Sequence, residues 1–216
     1  MASKKKPRKK KPGNPVSKQV LQQQLLAKSR PATEVEGFDR QVTVERCFTD
    51  EEMDALIQAA EEDFRDATVG GQNSNPEIRI SQVHWLDRDK YAWAYEKVWR
   101  AIQEVNASSY GFDITGFEGR MQVTRYDGKK KGHYTWHMDG GQATANRKIS
   151  LSVQLSHSED YKGGDIGFFY THKERFASRE RGAIVTFPSW VMHRVNPVKR
   201  GVRYSLIAWI VGPRWR

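Results

Sequence analysis

Within Tyr134-Thr135-Trp136-His137-Met138-Asp139-Gly140-Gly141, two metal-ligating side chains, His137 and Asp139, stand one residue apart. In an extended chain alternate side chains point the same way, so both can reach one ion. The best third ligand is His193, in Pro188-Ser189-Trp190-Val191-Met192-His193-Arg194-Val195. Two histidines and one carboxylate, with open positions opposite, make the facial set that holds non-haem Fe(II). Ten residues beyond His193 comes Arg203, in Gly201-Val202-Arg203-Tyr204-Ser205-Leu206. A buried guanidinium there would grip a dicarboxylate by its far end.

The chain has six histidines: His84, His133, His137, His157, His172 and His193. His133 and His137 have the four-residue spacing of a helical zinc site. That pattern needs a Glu after the first His and a helix; here Tyr134 follows, and Gly132, Gly140 and Gly141 bracket the segment. His157 and His172 sit near loop ends, where exposure is expected, and His84 reads as structural. His193 follows a β-type run ending at Phe187-Pro188 and precedes the run carrying Arg203. Strand alternation puts Arg203, Ser205, Ile207 and Trp209 on one face. It also separates Ser150, Ser152 and Gln154 from Leu151, Val153 and Leu155. The polar set is expected to line a pocket and the apolar set to meet helices. An inward charge such as Arg203 is costly unless paired. A carboxylate would pair it, with Ser205 adding a hydrogen bond.

These residues occur in the order seen in a known family. Gln122-Val123-Thr124-Arg125-Tyr126 comes first, then His137-Met138-Asp139 and Tyr161-Lys162-Gly163-Gly164-Asp165. Phe187-Pro188-Ser189, His193-Arg194-Val195, Arg203-Tyr204-Ser205 and Trp209-Ile210-Val211-Gly212-Pro213 follow. The sequence resembles the 2-oxoglutarate- and Fe(II)-dependent dioxygenases of the prolyl 4-hydroxylase-like (PKHD-type hydroxylase) group, over residues 40 to 216. The resemblance implies Fe(II) on His137, Asp139 and His193, with 2-oxoglutarate chelating the iron through its keto acid and held at its other end by Arg203. Ser205, Gln154, Tyr126 and Tyr134 would lie around the co-substrate or substrate. It further implies O2 as reactant, ascorbate as reductant, and hydroxylation coupled to conversion of 2-oxoglutarate to succinate. A protein or peptide substrate, with proline first, is expected. Two alternatives remain: oxidation of a nucleobase or small molecule, and a catalytically silent binding module on the same fold. Nucleic-acid demethylases of this superfamily carry a second arginine six residues after the first; here that position is Trp209.

The elements must hold these groups in one place. A chain of 216 residues is read as one domain, from residue 40 to 216, behind a basic segment spanning 1 to 39. Residues 1–12 hold seven Lys/Arg and no acid, and most of the net charge of +10. Charge repulsion, with Pro7, Pro12 and Pro15, argues for a disordered tail. The favoured reading is a solubilising tail with weak, salt-sensitive attraction to any polyanion, with nucleic-acid binding or a localisation signal as the functional alternatives. A short helix is expected over residues 16–28. The single cysteine, Cys47, excludes an internal disulfide and fits a reducing compartment. With no apolar run of membrane-spanning length and no secretory apolar core, the protein is expected to be cytoplasmic and soluble, away from membranes.

Gln41-Val42-Thr43-Val44 reads as a strand. Thr49 and Glu52 form a capping box for a helix whose stripe is Met53, Leu56, Ile57 and Ala60. Gly70-Gly71-Gln72-Asn73-Ser74-Asn75-Pro76 is a loop, which in similar enzymes closes over substrate. Residues 78–85 alternate like a strand, and 89–106 form a second helix with Tyr91, Tyr95, Val98, Trp99 and Ile102 at helical spacing. Further strands are expected at 121–126, 148–156, 165–170, 183–187 and 203–211. Two helices followed by many short strands give an α+β, mainly β fold: a double-stranded β-helix, the jelly-roll or cupin-like core, with helices on one sheet.

Overall fold

Thr49 starts the first helix for the reason its sequence suggests. In the computed structural model, which describes residues 41–44, 46–69, 74–170 and 173–214, helix α1 spans Asp50–Glu61. The Thr49 hydroxyl accepts from the Glu52 N–H at 3.3 Å, and the Glu52 carboxylate accepts from the Thr49 N–H at 2.9 Å. Helix α2, Ala92–Val105, continues into a π-helical turn, Asn106–Tyr110. Met53, Leu56 and Ala60 of α1 are buried, as are Ala94, Tyr95, Val98, Ala101, Ile102 and Val105 of α2. The expected tail, the helix at 16–28 and the tip of the loop at 70–73 lie outside the described residues, as does His172.

The strands are β1 (Val42–Val44), β2 (Arg65–Asp66), β3 (Arg79–Ile80), β4 (Gln82–Trp85), β5 (Gly116–Phe117), β6 (Gln122–Asp127) and β7 (His133–His137). They continue with β8 (Arg147–Gln154), β9 (Tyr161–Gly163), β10 (Ile166–Tyr170), β11 (Lys173–Phe176), β12 (Ile184–Pro188), β13 (His193–Val195) and β14 (Val198–Val211). Among the described residues they form two antiparallel sheets. The larger runs β1-β12-β8-β14-β6-β4-β2, with β5 and β9 also paired to β14. The smaller runs β11-β10-β13-β7-β3. This is the expected double-stranded β-helix.

Alternation sorts the two faces of the larger sheet. Ile149, Leu151 and Val153 of β8 and Leu206, Ala208 and Ile210 of β14 join both helices in one core. Burying these side chains is the main source of stability on that side. Arg181 ties α1 to the sheet from outside, donating to Asp54, to Asp50 at 3.2 Å and to the Leu155 carbonyl at 2.7 Å. A second core lies between the sheets: Tyr126, Tyr161, Ile166, Phe168, Val185, Phe187, Val191, Val195 and Val198. Among the described residues no helix is long and apolar enough to cross a membrane.

The structure corrects the reading of residues 78–85 as one strand. Ser81 is a corner: β3 pairs with β7 in the smaller sheet, β4 with β6 in the larger one. Alternation cannot register such a switch, because side chains alternate through it. The second helix starts three residues later than expected, because the Asp87 carboxylate accepts from the Asp89 and Lys90 N–H groups and makes a turn there. The last strand is longer than expected and begins at Val198.

Urea unfolding checks this packing. Thr49→Ala should cost about 1 kcal/mol through the lost cap. Leu151→Ala should cost about 2–5 kcal/mol through the cavity it leaves. A Leu151→Ala protein as stable as wild type would place that side chain outside the core.

Candidate metal centre

β7 and β13 lie side by side, and His137 and His193 are directly opposite each other. The Nδ1 of His193 lies 2.9 Å from the Val191 carbonyl, and the Nδ1 of His137 lies 2.7 Å from the Thr135 carbonyl. A carbonyl only accepts, so each Nδ1 carries the proton and each Nε2 keeps its lone pair. That tautomer is the one a metal-binding imidazole needs. Both Nε2 atoms face Asp139, at 3.8 Å from Oδ1 for His137 and 3.6 Å from Oδ2 for His193. One ligand atom from each of the three residues falls within 4.8 Å of the others. His137, Asp139 and His193 can therefore hold one ion.

Asp139 is not on a strand. β7 ends at His137, and the carboxylate is placed by the turn that follows. Its backbone carbonyl accepts from the Thr144 hydroxyl at 2.8 Å and from Arg147 Nη1 at 3.1 Å. The Gly140 N–H donates to the Ser189 carbonyl at 2.6 Å. A Cβ on Gly140 would sit 3.2 Å from that same backbone, so the close approach favours glycine.

The charge states suit a cation. Burial, with the neighbouring His193 imidazole, pushes the His137 pKa down to about 3. Asp139 is buried too, which alone would raise its pKa. The neighbouring His193 and His137, with the Ser150 and Trp209 dipoles, outweigh that and hold it below the usual carboxylate range. A neutral imidazole beside an ionised carboxylate is the form that ligates metal.

β7 contains a bulge that the sequence did not reveal. Three residues of β13, from His193 to Val195, stand opposite four of β7, from His137 back to Tyr134. The extra residue breaks the alternation, so Tyr134 stacks on His137, with centroids 3.5 Å apart. Arg79 lies over the outer face of Tyr134 at 4.8 Å. Phe187 and Phe168 flank His193.

Arg203 is the largest fully buried side chain, 1% exposed. Its Nη2 donates to Gln154 Oε1 at 2.8 Å, its Nη1 lies 3.4 Å from Ser205 Oγ, and its Cζ sits 5.7 Å from the Tyr126 ring centre. Gly164 lets its stem pass: a Cβ there would stand 3.1 Å from Arg203 Cδ, and the φ of +70° favours glycine besides. Among the described residues no carboxylate pairs with it. On the same inner face, Thr124 Oγ1 and Ser152 Oγ are buried without a hydrogen-bond partner. A buried cation ringed by neutral acceptors and spare polar atoms fits a small dicarboxylate.

The expected site residues thus converge: the triad on and beside the smaller sheet, Arg203, Ser205 and Gln154 on the larger, and Tyr126 and Tyr134 in the cluster between. The other histidines stay apart. His133 contacts the Lys131 carbonyl from a strand, His84 the Asp63 carbonyl, and exposed His157 contacts Arg181. The sequence reading missed Thr144, Arg147 and Glu118, which carried no periodic signal. It placed Trp209 on Arg203's face without seeing that the indole reaches Asp139.

Comparison with known proteins agrees with this geometry. Residues 121–211 match the model of the 2OG-Fe(II) oxygenase superfamily. A PKHD-type hydroxylase of Synechococcus sp. (strain JA-2-3B'a(2-13)) is 37% identical over 29% of this chain and 28% of its own. The PKHD-type hydroxylase PiuC of Pseudomonas aeruginosa is 26% identical over 75% of this chain and 74% of its own. The chain thus spans under a third of the first relative's length. A Pseudomonas putida prolyl-4-hydroxylase structure superposes with TM-score 0.66 at 19% identity, covering 81% of this chain and 94% of the other. A Trichoplax adhaerens prolyl hydroxylase in complex with a hypoxia inducible factor peptide fragment gives 0.69 at 17% identity, over 91% and 94%. Residues 121–211 therefore resemble a 2OG-Fe(II) oxygenase domain. The chain's resemblance is to the prolyl 4-hydroxylase-like, PKHD-type group.

Acid should weaken the metal-free fold. The His137 imidazole takes a proton near 6.5 in an unfolded chain but only near 3 when folded. Between those values the unfolded state holds more protons, so stability falls as pH drops. Denaturant midpoints should decline from pH 6.5 downward, and His137→Gln should flatten that slope. Equal slopes in both proteins would remove His137 from the effect.

Proposed function

We propose that this protein is an Fe(II)- and 2-oxoglutarate-dependent hydroxylase whose substrate is a proline in a peptide or protein. The observation that carries it is the pairing of two features in one barrel: a two-histidine, one-carboxylate cluster within 4.8 Å, and a fully buried arginine that pairs with no acid among the described residues. His137, Asp139 and His193 would hold the metal. Arg203, Gln154 and Ser205 would hold the distal carboxylate, with Tyr126 and Tyr134 as walls. Bound there, iron and 2-oxoglutarate would supply the oxidation, in which one O2 yields succinate, carbon dioxide and one hydroxylated C–H bond, with ascorbate as reductant. The chain's own residues keep the ligand atoms unprotonated, orient the co-substrate and exclude water through the aromatic cluster around His193.

The peptide reading draws on the PKHD-type and prolyl hydroxylase relatives, one of which was solved with a peptide fragment. A cleft of about 320 Å³, lined by Arg79, Ser81, Gln82, Arg125 and Asp66 among others, meets the site through Arg79, which lies over Tyr134. Nucleobase oxidation has less support, since the position of a second arginine is filled by Trp209, packed under Arg147.

Fe(II)-loaded protein should release succinate from 2-oxoglutarate even without substrate, and His137→Ala and Asp139→Ala should abolish it. With a library of proline-containing peptides, free amino acids and oligonucleotides, mass spectrometry should find one added oxygen atom on peptidyl proline. Succinate formation unaffected by both mutations would overturn the metal assignment. Oxygen added only to nucleobases or free small molecules would overturn the substrate.

A further inference from the structure

The Asp139 turn raises a mechanical question. Its two partner ligands are fixed by sheet hydrogen bonds and by their Nδ1 contacts, while Asp139 lies beyond the strand end and depends on side chains to hold it. Arg147, the first residue of β8, makes three contacts at once. Its Nε donates to the Glu118 carboxylate, its Nη1 donates to the Asp139 carbonyl at 3.1 Å, and its Cζ lies 4.3 Å over the Trp209 ring. Trp209 is half-buried, its buried Nε1 lacks a hydrogen-bond partner, and its strand position is opposite Ser150. Ser150 in turn donates to Ser189, whose carbonyl receives the Gly140 N–H.

We propose that Arg147, anchored by Glu118 and packed over Trp209, is a positioning residue that clamps the Asp139 carbonyl, so fixing the carboxylate toward the two histidines. The inference rests on the metal-centre reading above. The Glu118–Arg147 ion pair is half-buried, and the cost of desolvating it offsets much of its attraction. Its geometry is what matters: the planar guanidinium offers a face to the indole and an edge to both oxygen acceptors. A lysine could keep the charge and one hydrogen bond but not the stacked plane. Partners behind a metal ligand set its orientation, and removing one costs roughly 10–100-fold in metal affinity.

Mn(II) titration, read by the electron paramagnetic resonance of free Mn(II), tests this without turnover. Calorimetry of 2-oxoglutarate at saturating Mn(II) runs beside it, and circular dichroism reports folding. Arg147→Ala should weaken Mn(II) binding roughly 10–100-fold, with Arg147→Lys and Glu118→Gln falling between it and wild type. The affinity for 2-oxoglutarate on the loaded protein should not change. A folded Arg147→Ala that binds Mn(II) as tightly as wild type overturns the proposal. So does a loss confined to 2-oxoglutarate, which would make Arg147 a co-substrate contact. Should Arg147→Ala fail to fold, the two milder variants decide, and wild-type Mn(II) affinity in both overturns it. Failure of wild type itself to bind Mn(II) would bring down the metal centre; binding by wild type with unaffected variants removes only the role of Arg147.

Discussion

A guanidinium buried at 1% exposure, with no carboxylate partner among the described residues, is the constraint around which the barrel is arranged. Such a charge is tolerated only where neighbouring groups or a bound anion compensate for lost water. Neutral acceptors do part of this here: Gln154 and Ser205 take hydrogen bonds and Tyr126 offers its ring face. Their strands need polar inner faces, so β8 and β14 carry serines and a glutamine inward. The same strands then gain their stability from the outer face, where Leu151, Val153, Leu206 and Ile210 meet the helices. The helices serve the site indirectly, by letting the sheet spend its inner face on polar groups.

The two sheets divide the labour proposed for the site. The smaller one brings His137 and His193 opposite each other, and the turn after β7 brings Asp139. The larger one carries the cation and the spare polar atoms. The aromatic cluster between them, with Tyr126, Phe168 and Phe187, joins Arg203 to His193. Low dielectric there strengthens each polar contact and makes each unpaired group more costly.

The convergence of His137, Asp139 and His193 and the inward burial of Arg203 were legible because they depend on residue type and order alone. The helix cap at Thr49 and Glu52 and the two faces of β8 were legible because they depend on local periodicity. What escaped was set by partners distant in sequence. The corner at Ser81 arises because β7 and β6 compete for adjoining residues. The bulge that turns Tyr134 onto His137 depends on the register against β13, which no alternation within β7 encodes. Arg147 was silent for the same reason: its partners Glu118, Asp139 and Trp209 come from three other segments.

The most direct test of the account compares two ligands that differ only at the far end. 2-Oxoglutarate and 2-oxopentanoate share the keto acid, but the second has a methyl group where the first has its distal carboxylate. Calorimetric titration of the Mn(II) form should show 2-oxoglutarate binding more tightly by about 3–5 kcal/mol, the cost of breaking a buried charge pair. That is a hundredfold to several-thousandfold, at about 1.4 kcal/mol per factor of ten. In Arg203→Ala the preference should vanish. Equal affinity of the two ligands for wild-type protein, or an undiminished preference in Arg203→Ala, would contradict the account, because the buried guanidinium would then have some other purpose.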